Sequence, residues 1–290
     1  MTANVHGIPV LDSISPFARR YDAWLADIWG VMHNGVRPFP NAVEACRLFR
    51  QGGGTIILIS NAPRPRETVV EQLLQVGVPA DCYDGIATSG DVTRSLISGY
   101  AGKAVYHLGP ERDVPIFDGL GVRLTGLEEA AVVVCSGLWN DDKETPDDYA
   151  QLLAQMREHG LPMICANPDI VAERGDALVY CAGALAEVYG KLGGEVIYAG
   201  KPYAPIYDLA FELVNEKRGI PLPRHRIVAI GDGIRTDIAG AAAQEIDSVF
   251  VASGVHLDGA SRAQLSASTI SRLFSAGDGR PVAALAELAW

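Results

Sequence analysis

The sequence has a shortage of basic residues, and this shortage excludes some classes of partner. Only 24 Lys and Arg stand against 35 Asp and Glu, which gives a formal net charge of −11. Affinity for nucleic-acid backbones and anionic membranes comes mainly from Lys and Arg. We therefore expect no nucleic acid and no membrane as a partner, although an acidic protein can still bind one small anion.

Cysteine pairs and long apolar runs are also missing. The five cysteines are odd in number and widely spaced, and no Cys-x-x-Cys pair occurs. This pattern favours buried thiols in a reducing compartment over a disulfide or zinc framework. No stretch approaches the roughly 18 consecutive apolar residues of a membrane span, and residues 1–6 lack a basic region leading into an apolar one. We therefore expect a cytoplasmic protein.

Apolar residues are plentiful, at 48% of 290 residues, so the chain can bury a large core, and its length suggests two domains. After an irregular start over residues 1–20, strands and helices alternate, which is typical of a doubly wound parallel α/β sheet. The predicted elements are a strand at 23–28, a helix that begins with Asn41 as its cap, an apolar strand over Thr55–Asn61, and a helix that turns Val69, Val70, Leu73 and Leu74 inward and ends at Gly77.

The middle of the chain repeats this alternation with its own elements. We read it as a second, smaller α/β domain at residues 100–194, inserted into a core domain formed by residues 1–99 and 195–290. Its predicted elements are strands Lys103–Leu108, Ala131–Cys135 and Met163–Ala166 with helices Asp147–His159 and Gly183–Leu192.

The last third is predicted to complete the first sheet. Its elements are strand Val196–Ala199, a helix over 204–218, strand Arg226–Ile230, a small-residue helix over Ala239–Ala243, strand Ser248–Ala252 and C-terminal helical segments.

Three predicted strands of the first domain end in reactive side chains, at Asp27, Ser60 and Asp232. In open parallel sheets, ligands bind beyond the carboxyl ends of the strands, so these three side chains are expected to converge. Each residue alone is more often part of a turn or a helix cap. Their occurrence together at strand ends favours a functional site.

Four short motifs, in this order along the chain, carry a family resemblance. They are Asp27 ahead of Gly30-Val31, Ser60-Asn61, Gly200-Lys201-Pro202, and Gly231-Asp232 with Thr236-Asp237. Together they resemble the four motifs of the haloacid dehalogenase (HAD) superfamily over residues 22–255. The insertion resembles the α/β cap of the class II branch, which includes N-acetylglucosamine-phosphate and 4-nitrophenyl phosphate phosphatases, and Asn167-Pro168-Asp169 matches a tripeptide of that branch.

The resemblance implies a nucleophile and a metal. Asp27 would attack a phosphate monoester and form an aspartyl-phosphate, which splits a difficult displacement into two easier steps. Asp27, Asp232 and the backbone carbonyl of Trp29 match the family's ligands for Mg²⁺, a cation that prefers oxygen. Asp237 matches the outer acidic position of the metal site.

The resemblance also implies how the substrate is held. Ser60, with the backbone N–H groups of Asn61 and Ala62 after it, would bind the phosphoryl oxygens, and Lys201 would balance the negative charge. The further residues implied in substrate binding are Gly30, Asn167 and Asp169. The implied substrate is a small phosphorylated metabolite of the sugar- or nucleotide-phosphate type, and the cap implies a homodimer.

Trp29 departs from the family's pattern. Phosphatases of the family carry a second aspartate there, which protonates the leaving oxygen, and an indole N–H does not titrate near neutral pH. Three alternatives follow. In the first, His33 or Asp169 transfers the proton, or the leaving group departs unaided. In the second, the protein is a dehalogenase with an aromatic residue at this position. In the third, it binds a phosphorylated metabolite without turnover. General acid–base help is typically worth about 10²–10⁴ in rate.

Overall fold

The computed structural model describes residues 7–174, 177–252, 265–274 and 279–290. The chain forms two compact units. The first unit comprises Met1–Ile59, Gln72–Ile86 and Tyr207–Trp290, and the second comprises Ser60–Glu71 and Ala87–Ile206. Among the described residues, none of the helices combines the length and the apolar character that a membrane crossing needs.

Fourteen strands lie within the described residues. They are β1 Val10–Leu11, β2 Ala23–Asp27, β3 Thr55–Ser60, β4 Gly85–Thr88, β5 Ala104–Leu108, β6 Arg123–Leu124, β7 Val132–Cys135, β8 Met163–Cys165, β9 Val171–Arg174, β10 Ala177–Tyr180, β11 Val196–Tyr198, β12 Ile227–Gly231, β13 Asp247–Val251 and β14 Ala283–Leu285.

The same residues include nine α-helices and several shorter helical turns. The helices are α1 Ser15–Ala18, α2 Pro40–Gln51, α3 Arg66–Gln75, α4 Ser89–Ser98, α5 Ala150–Glu158, α6 Ala182–Lys191, α7 Ala204–Arg218, α8 Ala239–Ala243 and α9 Ala267–Leu273. The shorter turns are the 3₁₀ segments Ala80–Cys82, Glu111–Phe117, Leu127–Glu129, Pro146–Tyr149 and Arg224–Arg226, and the π-helical turn Ile234–Ile238.

The first sheet has seven strands in the order β1-β14-β13-β12-β2-β3-β4, and every pairing with a described register is parallel. Every residue of β2 and of β3 is buried, as expected for apolar strands covered on both faces. β2 lies between β12 and β3, so the strand that ends in Asp27 is central. The predicted doubly wound parallel sheet is confirmed.

The second sheet has five parallel strands in the order β11-β8-β7-β5-β6. Alternate residues of the apolar strand β7 face opposite sides of this sheet. Val133 and Cys135 pack in one cluster with α5 and α6, whereas Val132 and Val134 pack in another with Ile116 and Phe117. Both faces of this sheet are therefore covered. The turn Glu111–Phe117 is anchored by its two last residues.

One strand was assigned to the wrong sheet. The prediction that Val196–Ala199 resumes the first sheet is wrong, because Val196–Tyr198 pairs with Met163–Cys165 of the second sheet. The predicted cap, residues 100–194, contains the other four strands of this sheet, and its bounds stay a prediction. A short apolar strand carries no signal for the sheet that it joins.

Other predictions need smaller corrections. Phe39, not Asn41, is the N-cap of α2, and the Asn41 side chain instead donates to Glu287 Oε1 at 2.5 Å. Leu74 is 54% exposed, so α3 buries only Val69 and Leu73 of the residues predicted to turn inward. The irregular start contains β1 and α1, and the C-terminal part contains β14 as well as α9. Residues 1–6, and residues 253–255 of the family resemblance, lie outside the described residues.

The cysteines agree with the prediction of free thiols. All five are unpaired and buried. Burial raises the pKa of Cys82 to about 11 and that of Cys135 to about 12, which keeps both thiols protonated and unreactive at neutral pH.

Candidate active site

Asp27 stands at the carboxyl end of the central strand β2. Its register partner on β3 is Ile59, and β3 ends one residue later at Ser60. The Asp27 carboxylate is buried, and its Oδ1 accepts a hydrogen bond from the backbone N–H of Ile28 at 2.8 Å. The strand and this bond together fix the direction of the carboxylate.

Two more carboxylates, those of Asp232 and Asp237, follow the neighbouring strand β12 in a segment that requires glycine. The N–H of Gly233 donates to Asp237 Oδ2 at 3.0 Å, and the N–H of Asp237 donates to the Gly233 carbonyl at 2.9 Å. A Cβ on Gly231 would lie 2.1 Å from Asp237 Cγ, so any larger residue would displace that carboxylate. Asp232, between these glycines, is buried with 8% of its surface exposed.

Three carboxylates of the first unit, those of Asp27, Asp232 and Asp237, form one cluster. Ligand atoms of Asp27, Asp232 and Asp237 all lie within 4.8 Å of one another, and all three residues are buried. Like charges this close and this buried repel strongly unless a cation balances them. Three carboxylates suit a hard divalent cation such as Mg²⁺, which prefers oxygen ligands, so the residues present fit the predicted metal. The predicted convergence of Asp27 and Asp232 is confirmed.

Trp29 is held in one position in the loop that follows β2. A Cβ on Gly35, where φ is +86°, would lie 2.7 Å from the indole Cζ3, so only glycine leaves room for the ring. The His33 ring packs edge-on against the indole with the centroids 4.9 Å apart. The indole is nevertheless 37% exposed. Trp29 therefore presents a partly exposed aromatic surface and no titratable group.

His33 does not have the geometry of a proton donor. It is buried, and its Nδ1 accepts a hydrogen bond from the Gly35 N–H at 2.8 Å, so Nδ1 carries no proton. Burial lowers the pKa of His33 to about 4. The His33 carbonyl accepts from the N–H of Gly30, a residue implied in substrate binding, at 3.0 Å, so this N–H is already hydrogen-bonded within the loop.

In the second unit, Asn61 links three predicted elements of the site. Its Oδ1 accepts from the Lys201 N–H at 2.7 Å, and its Nδ2 donates to the Lys201 carbonyl at 3.2 Å and to Asp169 Oδ1 at 2.9 Å. A Cβ on Gly200 would lie 2.4 Å from Asn61 Oδ1, so the glycine of Gly200-Lys201-Pro202 permits this contact. The structure thus gives Asn61 a side-chain role in addition to its predicted backbone role.

The loop after β3 orients Ser60. The Ala62 N–H donates to Ser60 Oγ at 3.2 Å, so this N–H is occupied, and the serine hydroxyl keeps its own proton for another acceptor. The Ala62 carbonyl accepts from the Gly90 N–H at 3.0 Å, and a Cβ on Gly90 would clash with the backbone of Arg64 at 2.2 Å. The loop is thereby packed directly on the first turn of α4. Lys201 itself is buried, with 2% exposure.

The predicted cap tripeptide adopts a compact turn. The Asp169 N–H donates to Asn167 Oδ1 at 3.0 Å, and the Asp169 carboxylate receives the bond from Asn61. A Cβ on Gly183, in the first turn of α6, would lie 2.1 Å from the Pro168 carbonyl oxygen. Asn167 therefore shapes the turn, and Asp169 is the residue of the tripeptide that contacts Asn61 in the loop after β3.

Comparisons with known proteins identify related hydrolases. Residues 24–123 match the model for haloacid dehalogenase-like hydrolases, and residues 198–271 match the model for HAD-hydrolase-like proteins. A crystal structure of a hydrolase of the haloacid dehalogenase-like family from Brucella suis is 44% identical, with a TM-score of 0.85, over 96% of this chain and 99% of that one.

Two curated relatives are more distant. An acid sugar phosphatase of Staphylococcus saprophyticus is 26% identical over 82% of this chain and 88% of its own length. A 4-nitrophenylphosphatase of Schizosaccharomyces pombe is 22% identical over 82% of this chain and 86% of its own. The carboxylate cluster, the motif order and the full-length similarity lead to one conclusion: the chain belongs to the haloacid dehalogenase-like hydrolase family.

Proposed function

We propose that the protein is a Mg²⁺-dependent phosphatase that hydrolyses a small phosphorylated metabolite, of the sugar- or nucleotide-phosphate type, through an aspartyl-phosphate on Asp27. The observation that carries the proposal is the gathering of three buried carboxylates within 4.8 Å at the ends of β2 and β12. A dehalogenase needs no such cluster. The names of two relatives, an acid sugar phosphatase and a 4-nitrophenylphosphatase, add support.

The metal would be held by Asp27, Asp232 and the Trp29 carbonyl, with Asp237 supporting the set from the side. When bound, a divalent cation neutralises the charge of the carboxylates and of the phosphoryl oxygens. Ser60 donates its hydroxyl to a phosphoryl oxygen, and Lys201 contributes a fixed positive charge. Asn61 holds the Lys201 backbone in position.

The leaving group determines the rate in this proposal. Trp29 has no proton to transfer, and the Nδ1 of His33 accepts a hydrogen bond, which leaves a neutral imidazole as a very weak acid. In this proposal the leaving oxygen departs as an anion, so esters of acidic alcohols, phenols or acids react much faster than alkyl esters. The exposed indole of Trp29 offers an aromatic leaving group a surface to stack on.

The test is a series of phosphate monoesters whose leaving groups range from nitrophenol through phenol to simple alcohols. We expect phosphate release that requires Mg²⁺, a steep fall in kcat/KM as the leaving group becomes less acidic, and no turnover by Asp27→Asn. Trp29→Asp should increase kcat/KM for the alkyl esters by about 10²-fold, because it restores a general acid. Trp290→Asp, which changes another partly exposed tryptophan of the first unit, should leave the series unchanged.

Three results would overturn this proposal. A flat dependence on the leaving group would mean that another residue, such as Asp169, supplies the proton. Saturable binding of the esters without phosphate release would assign a binding role. Chloride release from 2-haloacids without Mg²⁺ would assign a dehalogenase. The homodimer through the cap and the cytoplasmic location stay predictions of the sequence.

A further inference from the structure

The backbone that carries Asp237 has an unusual form. Asp237 lies in the π-helical turn Ile234–Ile238, and the Gly233 carbonyl accepts from the N–H of Asp237 at 2.9 Å and from the N–H of Ile238 at 3.0 Å. Single π-helical turns are rare in proteins and are frequently found at functional sites. The position of the Asp237 carboxylate therefore depends on how this turn is held.

The Asp237 side chain has little freedom to compensate for a shift of the turn. Its Oδ2 accepts from the Gly233 N–H at 3.0 Å, and a Cβ on Gly233 would lie 2.8 Å from the same oxygen. A Cβ on Gly231 would lie 2.1 Å from Asp237 Cγ, and the residue is only 2% exposed. Groups packed this closely move together. A displaced turn would therefore move the carboxylate relative to Asp27 and Asp232.

A buried tyrosine of another helix contacts this turn. Tyr207 of α7 is 1% exposed, and its hydroxyl oxygen lies 3.4 Å from the carbonyl oxygen of Thr236 and 3.4 Å from that of Asp237. The three residues belong to the first unit. Both distances are longer than in a full O–H···O hydrogen bond, as in a three-centre bond in which two acceptors share one proton. The hydroxyl thus restrains two successive carbonyls at once.

The position of the phenol is itself fixed by a glycine of α8. A Cβ on Gly240 would lie 2.3 Å from the Tyr207 hydroxyl oxygen and 2.7 Å from Cε2 and Cζ of its ring. Glycine is less favourable than alanine in a helix, so the close approach of Tyr207 gives this position a packing reason for its glycine. Tyr207 is therefore held by α8 on one side and by the π-helical turn on the other.

We propose that Tyr207 is a positioning residue for the divalent cation: its hydroxyl holds the Thr236–Asp237 backbone and thereby sets the Asp237 carboxylate relative to the other two carboxylates of the cluster. Residues that orient metal ligands affect metal affinity without touching the metal, and their loss typically costs about 10–100-fold. This inference rests on the proposed function, because it concerns the metal site of the same reaction. It adds a residue that lies outside the four motifs.

The test is isothermal titration of Mg²⁺ into the metal-free, full-length protein without substrate. Tyr207→Phe removes the hydroxyl and keeps the ring, so we expect the dissociation constant for Mg²⁺ to rise by about 10-fold. A loss of folded protein would lower the stoichiometry of binding and leave the dissociation constant unchanged. The rise in Tm with increasing Mg²⁺ concentration provides a second measurement and should be smaller in the variant.

Tyr189→Phe is the matched control. Tyr189 is also buried, and its hydroxyl donates to the Leu161 carbonyl at 2.5 Å within the second unit. This variant should lower the Tm of the metal-free protein and leave the dissociation constant for Mg²⁺ unchanged. A merely structural role of Tyr207 would give the same result for Tyr207→Phe.

Gly240→Ala displaces the phenol from the opposite side and should also weaken Mg²⁺ binding. Its control is Gly190→Ala in α6, because a Cβ on Gly190 would meet nothing within 4 Å, and this variant should bind Mg²⁺ like the wild type.

Equal dissociation constants in the wild type and Tyr207→Phe would overturn the inference, and so would an equal weakening in Tyr207→Phe and Tyr189→Phe. If the wild type binds Mg²⁺ but releases phosphate from no ester, the proposed function fails, and the dissociation constants still decide on Tyr207. If the wild type binds no Mg²⁺, the inference and the proposed metal dependence both fail.

Discussion

The carboxyl edges of the two parallel sheets carry different chemistry, although the sheets are built alike. The first edge gathers Asp27, Asp232 and Asp237 into one buried cluster. The second edge carries one buried carboxyl, Asp113, whose Oδ1 has no hydrogen-bond partner among the described residues, next to Ser136 and His107. Three carboxylates at short range suit a divalent cation, whereas a single carboxyl does not make such a site.

The carboxylate cluster at the first edge is suited to a divalent cation, and the second edge has no comparable cluster among the described residues. In both places a glycine leaves room for the polar group: Gly231 for Asp237 and Gly109 for Ser136, each with a Cβ position 2.1 Å from its neighbour.

The largest effect is expected for Gly231→Ala, and Gly109→Ala is the matched variant at the second edge. Gly231→Ala displaces Asp237 from the carboxylate cluster, so it should lower kcat/KM by about 10²–10³-fold and abolish the increase in Tm on addition of Mg²⁺. Gly109→Ala should keep the Mg²⁺ response and change kcat/KM for phenyl phosphate by less than about threefold. Initial rates and thermal unfolding with and without Mg²⁺ provide the measurements. Loss of the Mg²⁺ response in Gly109→Ala would show that the two edges do not act separately.

Most of the residues at the carboxyl edge of the first sheet could be predicted from the sequence, because each motif there consists of neighbouring residues. Asp27, Ser60 and Asp232 each follow a continuous apolar run, and a strand end next to glycine is visible without any tertiary information. Four of the seven strands of the first sheet, β2, β3, β12 and β13, followed from the same runs, whereas β4 was not predicted. Strands of two or three residues, such as β1 and β14, were missed because so few residues carry no periodicity.

The second edge was not predicted, because its signal is tertiary. Nothing in the local sequence around Asp113 shows that its Oδ1 is buried, or that Ser136, more than twenty residues away, contacts it. The same limit explains the error over Val196–Tyr198, whose sheet is decided by pairing with β8. The side-chain role of Asn61 was also missed, since its partners Asp169 and Lys201 are distant in sequence.

An intermediate effect is expected for Asn61→Ala, which removes the hydrogen bonds that join the loop after β3 to Asp169 and Lys201. Three hydrogen bonds are lost, and the buried N–H of Lys201 is left without its acceptor. The free energy of unfolding should fall by about 2–3 kcal/mol, and KM for a phosphate ester should rise. Urea unfolding and steady-state kinetics measure the two effects. Asn41→Ala, which removes one exposed hydrogen bond to Glu287, should cost less than about 0.5 kcal/mol, and an equal loss in both variants would contradict the special role of Asn61.

The smallest effect concerns pH and sharpens the description of the second edge. Burial lowers the pKa of His107 to about 4, and the groups near it are Ser136, the Phe117 ring and, through Ser136, Asp113. Between pH 6.5 and 4 the unfolded chain therefore holds a proton on His107 that the folded protein does not, so acidification favours unfolding. The raised pKa of Asp113 acts in the opposite direction, because its folded form takes up a proton first.

His107→Gln isolates the histidine from this opposing contribution, since Asp113 is present in both proteins. Relative to this variant, the wild type should lose about 2 kcal/mol of stability as the pH falls from 7 to about 4.5, and the two curves should run parallel above pH 7. Denaturant unfolding at several pH values measures this difference. A constant difference across the whole range would mean that His107 takes up its proton at the same pH in the folded and the unfolded protein, so that burial does not lower its pKa.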